Sequence, residues 1–266
     1  MAGASPTLNV MIRAARKAGR ALVRDFGEVE HLQVSVKGPG DFVSAADRKA
    51  EETLKTELLG ARPAYGWLAE ESDEIAGADP TRRWIVDPLD GTTNFLHGLP
   101  HWAISIALEH KGRIVAAVVF DPAKDEIFVA EKGQGAWLND RRCRASGRRE
   151  LGAAVFATGI PFGAKRTLPD TLTDLSRLMP RCAGVRRFGS AALDLAYVAA
   201  GRYDGFWERE LRPWDMAAGL LLVREAGGLV SALGQDPGGG NPLATGSVLA
   251  AAPDLHKPLT DTLLGS

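Results

Sequence analysis

Residues 84–95 of this 266-residue chain read WIVDPLDGTTNF, and this segment constrains the fold more than any other. Its apolar beginning predicts a short buried strand, because a brief apolar run bounded by turn residues is typical of strands inside a core. Pro88 has no N–H and should end the strand pairing, and Gly91 allows a ligand to approach the backbone closely. The segment therefore predicts a strand that delivers Asp87 and Asp90 into one turn.

The two carboxylates of this turn have two interpretations. Carboxylate and carbonyl oxygens suit Mg²⁺, which commonly joins one or two carboxylates to the phosphate oxygens of a substrate. Asp-Pro and Asp-Gly are also common turn signals that need no ligand. The segment alone leaves a metal and phosphate site and a pair of structural turns equally open.

Composition and charge favour a globular protein over a nucleic-acid-binding or membrane-spanning one. Hydrophobic residues make up 45% of the chain and charged residues 24%, which is typical of a soluble globular protein of one large or two modest domains. The 32 Lys and Arg residues balance 33 Asp and Glu residues, so direct nucleic-acid binding is not expected. No apolar run is long enough to span a membrane.

The cysteines and the first residues indicate where the protein acts. Cys143 and Cys182 are the only cysteines, and their spacing suits neither a disulfide framework nor a zinc site. A reducing, cytoplasmic location is therefore expected. Residues 8–26 place apolar side chains at helical spacing among five Arg and Lys residues, which predicts a docked amphipathic helix rather than a targeting segment.

The pattern along the chain predicts two domains, 1–145 and 146–266, with the boundary in the Arg-rich segment 141–151. A helix capped by Ser44 and an antiparallel meander over 102–138 are expected in the first half. The second half alternates between strand and helix patterns. Its predicted strands are 155–158, 185–188, 204–207 and 248–251, and its predicted helices are 168–179, 190–200 and 215–226, with 234–242 as a loop.

Further acidic residues stand at the ends of predicted elements, namely Asp47, the Glu70-Glu71 pair and Asp215. Each has a structural explanation: Asp47 completes a capping pattern with Ser44, Asp215 occupies an N-cap position, and the glutamates could be a solvated pair. Together they can meet in one cleft at the strand ends. Carboxylates gathered there would raise one another's pKa unless a cation is present.

These motifs resemble the inositol monophosphatase family, in its bacterial inositol-1-monophosphatase and extragenic suppressor branch. The resemblance runs nearly end to end and implies an α+β fold, the layered αβαβα sandwich of the inositol monophosphatase and fructose bisphosphatase type. Ala69 departs from the glycine that is usual before the two glutamates. The matching segments are residues 84–95, 214–219 with 225–228, Lys37 with 41–47, 70–72 and 189–193.

The resemblance implies a Mg²⁺-dependent, lithium-sensitive phosphatase that hydrolyses a small phosphate monoester, myo-inositol monophosphate first among them, by metal-activated water. Histidinol phosphate and fructose 1,6-bisphosphate are alternative substrates. A different alternative is a partner of the transcription machinery with vestigial activity. The resemblance also implies a homodimer, for which the apolar residues 102–120 are the expected interface material.

The resemblance assigns roles to individual residues. One Mg²⁺ would be held by Glu70, Asp87 and the Leu89 carbonyl, a second by Asp87, Asp90 and Asp215, and a weaker third would lie near Glu70. Asp47, Glu70 and Thr92 would be the catalytic residues, with Asp47 orienting Thr92 toward the attacking water. The implied substrate contacts are Asp90, Gly91, Thr92, Arg186, Gly189, Ser190, Ala191, Glu208 and Asp215.

Overall fold

The computed structural model describes residues 5–28, 34–38, 41–162 and 167–265. The helices among them are α1 (Pro6–Phe26), α2 (Ala45–Ala61), α3 (Thr92–Leu96), α4 (Leu168–Leu178), α5 (Ala191–Ala199), α6 (Pro213–Glu225), α7 (Pro242–Thr245) and α8 (Pro253–Leu264). The strands are β1 (Val34–Gly38), β2 (Asp41–Ser44), β3 (Tyr65–Ala69), β4 (Asp79–Asp90), β5 (Ala103–His110), β6 (Arg113–Asp121), β7 (Glu126–Glu131), β8 (Gly135–Leu138), β9 (Arg141–Arg142), β10 (Val155–Thr158), β11 (Gly184–Arg186), β12 (Gly205–Glu208), β13 (Leu229–Ser231) and β14 (Val248–Ala251).

Helical layers and sheets alternate through the molecule. Helices α1 and α2 cover one face of a seven-stranded sheet of order β3-β4-β5-β6-β7-β8-β9. Helices α5 and α6 lie between that sheet and a five-stranded sheet of order β11-β10-β12-β14-β13, and α4 and α8 cover the outer face. This arrangement confirms the predicted α+β αβαβα sandwich.

The seven-stranded sheet is built largely from local hairpins. Strands β4 to β9 pair antiparallel with their sequence neighbours, and only β3 and β4 run parallel within this sheet. The turn between β5 and β6 is formed by Lys111 and Gly112, whose φ angles are 51° and 71°. Two consecutive positive φ values suit the right-handed twist of the flanking strands. The meander predicted over 102–138 is confirmed.

Burial explains why the helices of different layers differ in composition. Helix α1 buries one stripe, which includes Leu8, Met11 and Leu22, and leaves its basic residues toward solvent. All nine residues of α5 are buried, since this helix contacts elements on both sides. Most apolar residues of 102–120 are buried inside the same layers of the single chain, and their part in a dimer interface stays a prediction.

Some elements differ from their predictions for identifiable reasons. Strand β4 continues past Pro88 to Asp90, and the ladder to β5 shifts register between Asp87 and Asp90 instead of ending. Helix α8 was not predicted, because proline stands at its first position and Pro258 lies inside it. The side chain of Ser44, the expected cap of α2, lies outside the described residues.

The two halves of the chain share a core. The passage from one sheet to the other falls between Arg142 and Val155, in the Arg-rich segment. One cluster of buried residues nevertheless joins Ile85 and Ala107 of the first sheet to residues of α5 and α6. The domain limits 1–145 and 146–266 stay a prediction. Among the described residues, none of the helices is both long and apolar enough to cross a membrane.

The crossing of α5 and α6 yields a stability prediction. A Cβ on Gly219 would lie 2.4 Å from the Cβ of Leu195, so Gly219→Ala should lower the free energy of unfolding by about 1–3 kcal/mol through overpacking. Gly60→Ala in α2 is the matched control, because no described heavy atom lies within 4 Å of its Cβ position. That control should gain about 0.5–1 kcal/mol from helix propensity. Urea denaturation measures both, and an equal effect of the two changes would contradict this account of the crossing.

Candidate active site

The turn after β4 is held by its own side chains. Asp87 Oδ1 accepts a hydrogen bond from the Leu89 N–H at 2.9 Å. Gly91 has a φ of 93°, and a Cβ there would lie 3.0 Å from the His101 carbonyl oxygen. A residue with a side chain would therefore be both strained and crowded at this position. The turn fixes Asp87, Asp90 and the start of α3 relative to one another.

The Thr92 hydroxyl connects the turn to α2. Thr92 Oγ1 lies 2.8 Å from Asp47 Oδ1 and 3.0 Å from the Leu89 carbonyl oxygen. Asp47 is fully buried in the first turn of α2. A hydroxyl has one proton, so it can be donated to only one of these two acceptors at a time. The structure thus brings together Asp47 and Thr92, as the resemblance implies.

Asp87 is buried, and the partly exposed carboxylates of Glu70, Asp90 and Asp215 lie around it. Burial raises the pKa of Asp87 well above its ordinary value, and the charges of Glu70, Asp90 and Asp215 raise it further. The pKa of Asp215 is raised for the same reasons, by burial and then by Asp90, Glu70 and Glu208. Residues from four separate parts of the chain therefore lie close enough to influence one another electrostatically.

Asp90 joins the turn to the second half of the chain. Its Oδ2 accepts hydrogen bonds from the Ser190 hydroxyl at 2.6 Å and from the Ala192 N–H at 2.7 Å. Burial raises the pKa of Asp90 to about 6, against the opposing effect of these donors. Ser190 is also the N-cap of α5. One carboxylate thereby fixes the Gly189-Ser190-Ala191 turn against the first motif.

Asp215 does not occupy the predicted N-cap. Helix α6 begins at Pro213, Arg212 is its N-cap, and Asp215 is the third helical residue. Its Oδ2 accepts a hydrogen bond from the Arg212 N–H at 2.7 Å. Proline suits the first helical position because it needs no N–H there, so the helix starts two residues before the expected place. The carboxylate still faces the site from the helix N-terminus.

A cleft of about 1050 Å³ opens beside the carboxylates, with Glu70, Glu208 and Asp215 on its walls. The Glu208 carboxylate lies where a Cβ on Gly159 would be, so this approach requires glycine. Arg187 also lines the cleft, and its guanidinium carbon lies 4.6 Å from the centroid of the Phe162 ring. Arg186 is not among the lining residues and is exposed.

Sequence reasoning missed Asn94 and Asp194. The Asn94 Nδ2 donates to the carbonyl oxygens of His101 at 2.8 Å and Phe188 at 2.7 Å, and thus joins α3 to the chain before Gly189. Asp194 is fully buried on α5, and the charges of Glu208 and Asp90 add to the effect of burial in raising its pKa. Asn94 stands within the first motif, which was a usable signal. Asp194 reads as an ordinary polar residue of a helix.

The donor chemistry of the site fits a hard cation. Carboxylates and a backbone carbonyl are ligands that Mg²⁺ accepts. Among the described groups that shift the pKa of Asp87 and Asp215, there is no Lys or Arg charge. Across the described ranges, no three His, Cys, Asp or Glu side chains form a preformed metal cage. The fit therefore rests on donor type and electrostatics.

Comparison with known proteins gives a consistent result. The model of the inositol monophosphatase family matches residues 4–264. An inositol-1-monophosphatase of Rhizobium meliloti is 58% identical over 97% of this chain and 96% of the relative, and the Nus factor SuhB of Escherichia coli K12 is 48% identical over 96% and 94%. A crystal structure of the extragenic suppressor protein suhB from Bartonella henselae superimposes with a TM-score of 0.94 at 55% identity, over 97% of this chain and 98% of that one.

The layered fold, the carboxylates beside a polar cleft and these matches together identify a metal-dependent phosphatase that acts on phosphate monoesters. The family match covers nearly the whole chain, and the curated relatives are 58% and 48% identical to it. The chain belongs to the inositol monophosphatase family.

The Asn94 bridge yields a second prediction. Asn94→Asp replaces the donor of two hydrogen bonds by an acceptor and should lower the free energy of unfolding by about 2–4 kcal/mol, since each carbonyl loses its partner. Asn241→Asp is the control, because Asn241 uses its Oδ1 to accept from the Leu243 N–H and an aspartate does the same. Urea denaturation of both variants distinguishes them. Equal stability of the two would show that the bridge contributes nothing.

The raised pKa of Asp215 predicts a gain in stability when its charge is removed. A carboxyl whose folded pKa is raised stabilises the fold below its unfolded pKa of about 4 and loses that contribution as pH rises through the folded pKa. In EDTA at pH 7, Asp215→Asn should therefore be more stable than the wild type by about 0.5–2 kcal/mol. The gain should shrink at pH 5. Glu52→Gln, exposed on α2, should show neither effect.

Proposed function

We propose that this protein hydrolyses a small phosphate monoester in a Mg²⁺-dependent reaction, with myo-inositol monophosphate as the substrate. The observation that carries the proposal is the Thr92 hydroxyl, hydrogen-bonded to buried Asp47, close to a group of carboxylates that raise the pKa of Asp87. A nucleophile-positioning pair and a cation-binding donor set next to a polar cleft are what metal-assisted phosphate hydrolysis requires. The names of the relatives support the substrate.

The proposed metal ligands follow the site. Glu70, Asp87 and the Leu89 carbonyl would hold one Mg²⁺, and Asp87, Asp90 and Asp215 a second, with a weaker third near Glu70. Bound Mg²⁺ would offset the negative charge of the phosphoryl oxygens. It would also lower the pKa of a water molecule. Asp90 commits its Oδ2 to Ser190 and Ala192, which leaves its Oδ1 for the cation. Lithium inhibition is part of the same proposal.

Thr92 and Asp47 would position the attacking water. When Thr92 donates its proton to Asp47, the lone pairs of its oxygen can accept a proton from a water molecule. As the water passes a proton to the Thr92 oxygen, buried Asp47 would receive the proton that Thr92 already donates to it. Glu70, on the other side of Asp87, would orient the same water. In this proposal, the proton of the attacking water would pass to side chains of α2 and α3.

The remaining contacts would bind the two ends of the substrate. The first N–H groups of α3 lack intrahelical partners, so Gly91 and Thr92 can donate to phosphate oxygens. Glu208 on the cleft wall accepts hydrogen bonds from hydroxyl groups in this proposal. The other proposed substrate contacts are Asp90, Arg186, Gly189, Ser190, Ala191 and Asp215.

We also propose a cellular location, an oligomeric state and alternative substrates for the protein. A cytoplasmic location agrees with Cys143 and Cys182, which are both free thiols. A homodimer is proposed from the family resemblance. Histidinol phosphate and fructose 1,6-bisphosphate are the alternative substrates, because a polar cleft of this size accepts several phosphorylated polyols.

A second candidate function is suggested by the relative named Nus factor SuhB, at 48% identity over nearly the full length. In that case the chain would act as a partner of the transcription machinery and its hydrolase activity would be vestigial. A salt-resistant association with purified RNA polymerase, unchanged in a catalytically inactive variant, supports this second function. Loss of association at moderate salt argues against it.

The proposed function is tested by phosphate release from a panel of inositol phosphate, histidinol phosphate, fructose 1,6-bisphosphate and phosphoadenosine phosphate. Turnover should require Mg²⁺, be highest with inositol phosphate, and fall with Li⁺. Asp90→Asn should lower kcat more than roughly 100-fold, since outer-sphere changes alone cost 10- to 100-fold at metal sites. Asp125→Asn, remote from the cleft, should retain full activity. Absence of turnover on the whole panel, or full activity of Asp90→Asn, contradicts the proposal.

A further inference from the structure

Glu51 is a buried carboxylate outside the proposed ligand set. It lies on α2, one helical turn after Asp47, and only 4% of its surface is exposed. Its Oε2 accepts a hydrogen bond from the backbone N–H of Glu71 at 2.8 Å. Residues four apart project from the same side of a helix. Helix α2 thus directs two buried acids toward the site, one to Thr92 and one to the backbone beside Glu70.

The loop after β3 has anchors on both sides of Glu71. Trp67 and Ile75 exchange backbone hydrogen bonds of 2.9 Å, which closes the loop at its base. The Trp67 indole N–H donates to the Ser72 hydroxyl at 3.2 Å. The Glu51 contact lies one residue from Glu70, nearer than either of these. It therefore restrains the backbone from which the Glu70 side chain extends toward Asp87 and Asp215.

We infer that Glu51 is a positioning residue, whose acceptor oxygen holds the Glu70 loop at a fixed distance from the Thr92 and Asp47 pair on the same helix. The inference deepens the proposed function and rests on it. Its physical basis is rigidity: α2 is one continuous helix from Ala45 to Ala61, so two contacts one turn apart keep a constant separation. A metal site needs its ligands placed within a fraction of an ångström.

The proposed role depends on reach and not on charge. The carbonyl oxygen of a glutamine reaches the Glu71 N–H and accepts its hydrogen bond, although more weakly than a carboxylate does. An aspartate is shorter by one methylene and withdraws its oxygen from that N–H. Glu51→Gln should therefore preserve the position of the loop and Glu51→Asp should release it. A purely electrostatic role predicts the reverse order, since Asp keeps the charge and Gln removes it. Glu52, exposed on the same helix, provides the matched controls Glu52→Gln and Glu52→Asp.

Two measurements on the full chain test the inference. The first is hydrogen exchange of the Glu71 amide in metal-free protein, which should be at least tenfold faster in Glu51→Asp and unchanged in Glu51→Gln. The second is calorimetric titration with Mg²⁺, in which the Kd should rise about tenfold in Glu51→Asp, the effect typical of residues that orient ligands. Both Glu52 variants should match the wild type in both measurements.

The outcomes separate this inference from the proposed function. Wild-type protein that fails to bind Mg²⁺ overturns the proposed metal chemistry and the inferred consequence for metal affinity, whereas amide exchange still decides whether Glu51 anchors the loop. Unchanged exchange in Glu51→Asp overturns the anchor. Faster exchange with an unchanged Kd overturns the positioning role and leaves only a structural contact. A larger effect of Glu51→Gln than of Glu51→Asp overturns the dependence on reach.

Discussion

The rest of the structure serves to hold several carboxylates close together at a site that is largely shielded from water. Four carboxylates, those of Glu70, Asp87, Asp90 and Asp215, influence one another where burial already disfavours their charged forms. A fold that served stability alone would separate them or add a basic partner. This fold instead keeps them together with hydrogen bonds from backbone and hydroxyl donors, which fix position without cancelling charge. Such an arrangement has a use only when a cation completes it.

The restraints on these carboxylates come from every layer around the site. The turn after β4 restrains Asp87 through the Leu89 N–H, the start of α5 restrains Asp90, and the start of α6 restrains Asp215. Helix α2 contributes from the opposite side through Asp47 and Glu51. Because these elements belong to both halves of the chain, the site is formed only when both sheets have assembled around α5 and α6. Folding and assembly of the site are thus one event.

Elements whose structure is determined by neighbouring residues are predicted well from the sequence. Features that depend on packing between distant residues are not. The hairpins of 102–138 carry strand patterns and turn glycines, so local sequence predicts the meander, whose strands run from Ala103 to Arg142. Asp215 was expected at the N-cap because acidic residues are favoured there, whereas Pro213 starts the helix earlier. The roles of Asn94, Arg187 and Glu51 depend on partners distant along the chain, and no local pattern states which carbonyl, ring or N–H each will meet.

The groups assigned to the reaction and those that line the substrate cleft are held in different ways. The groups assigned to the reaction stand on or beside the rigid ends of β3, β4, α2 and α3, and each is fixed by a hydrogen bond or a constrained turn. The cleft walls are built differently: Glu208 reaches over Gly159, and Arg187 packs on the exposed ring of Phe162. These contacts involve chain ends of strands and segments between elements, which tolerate substitution more readily than a core does. The cleft walls can therefore change at less cost to the fold than the groups assigned to the reaction.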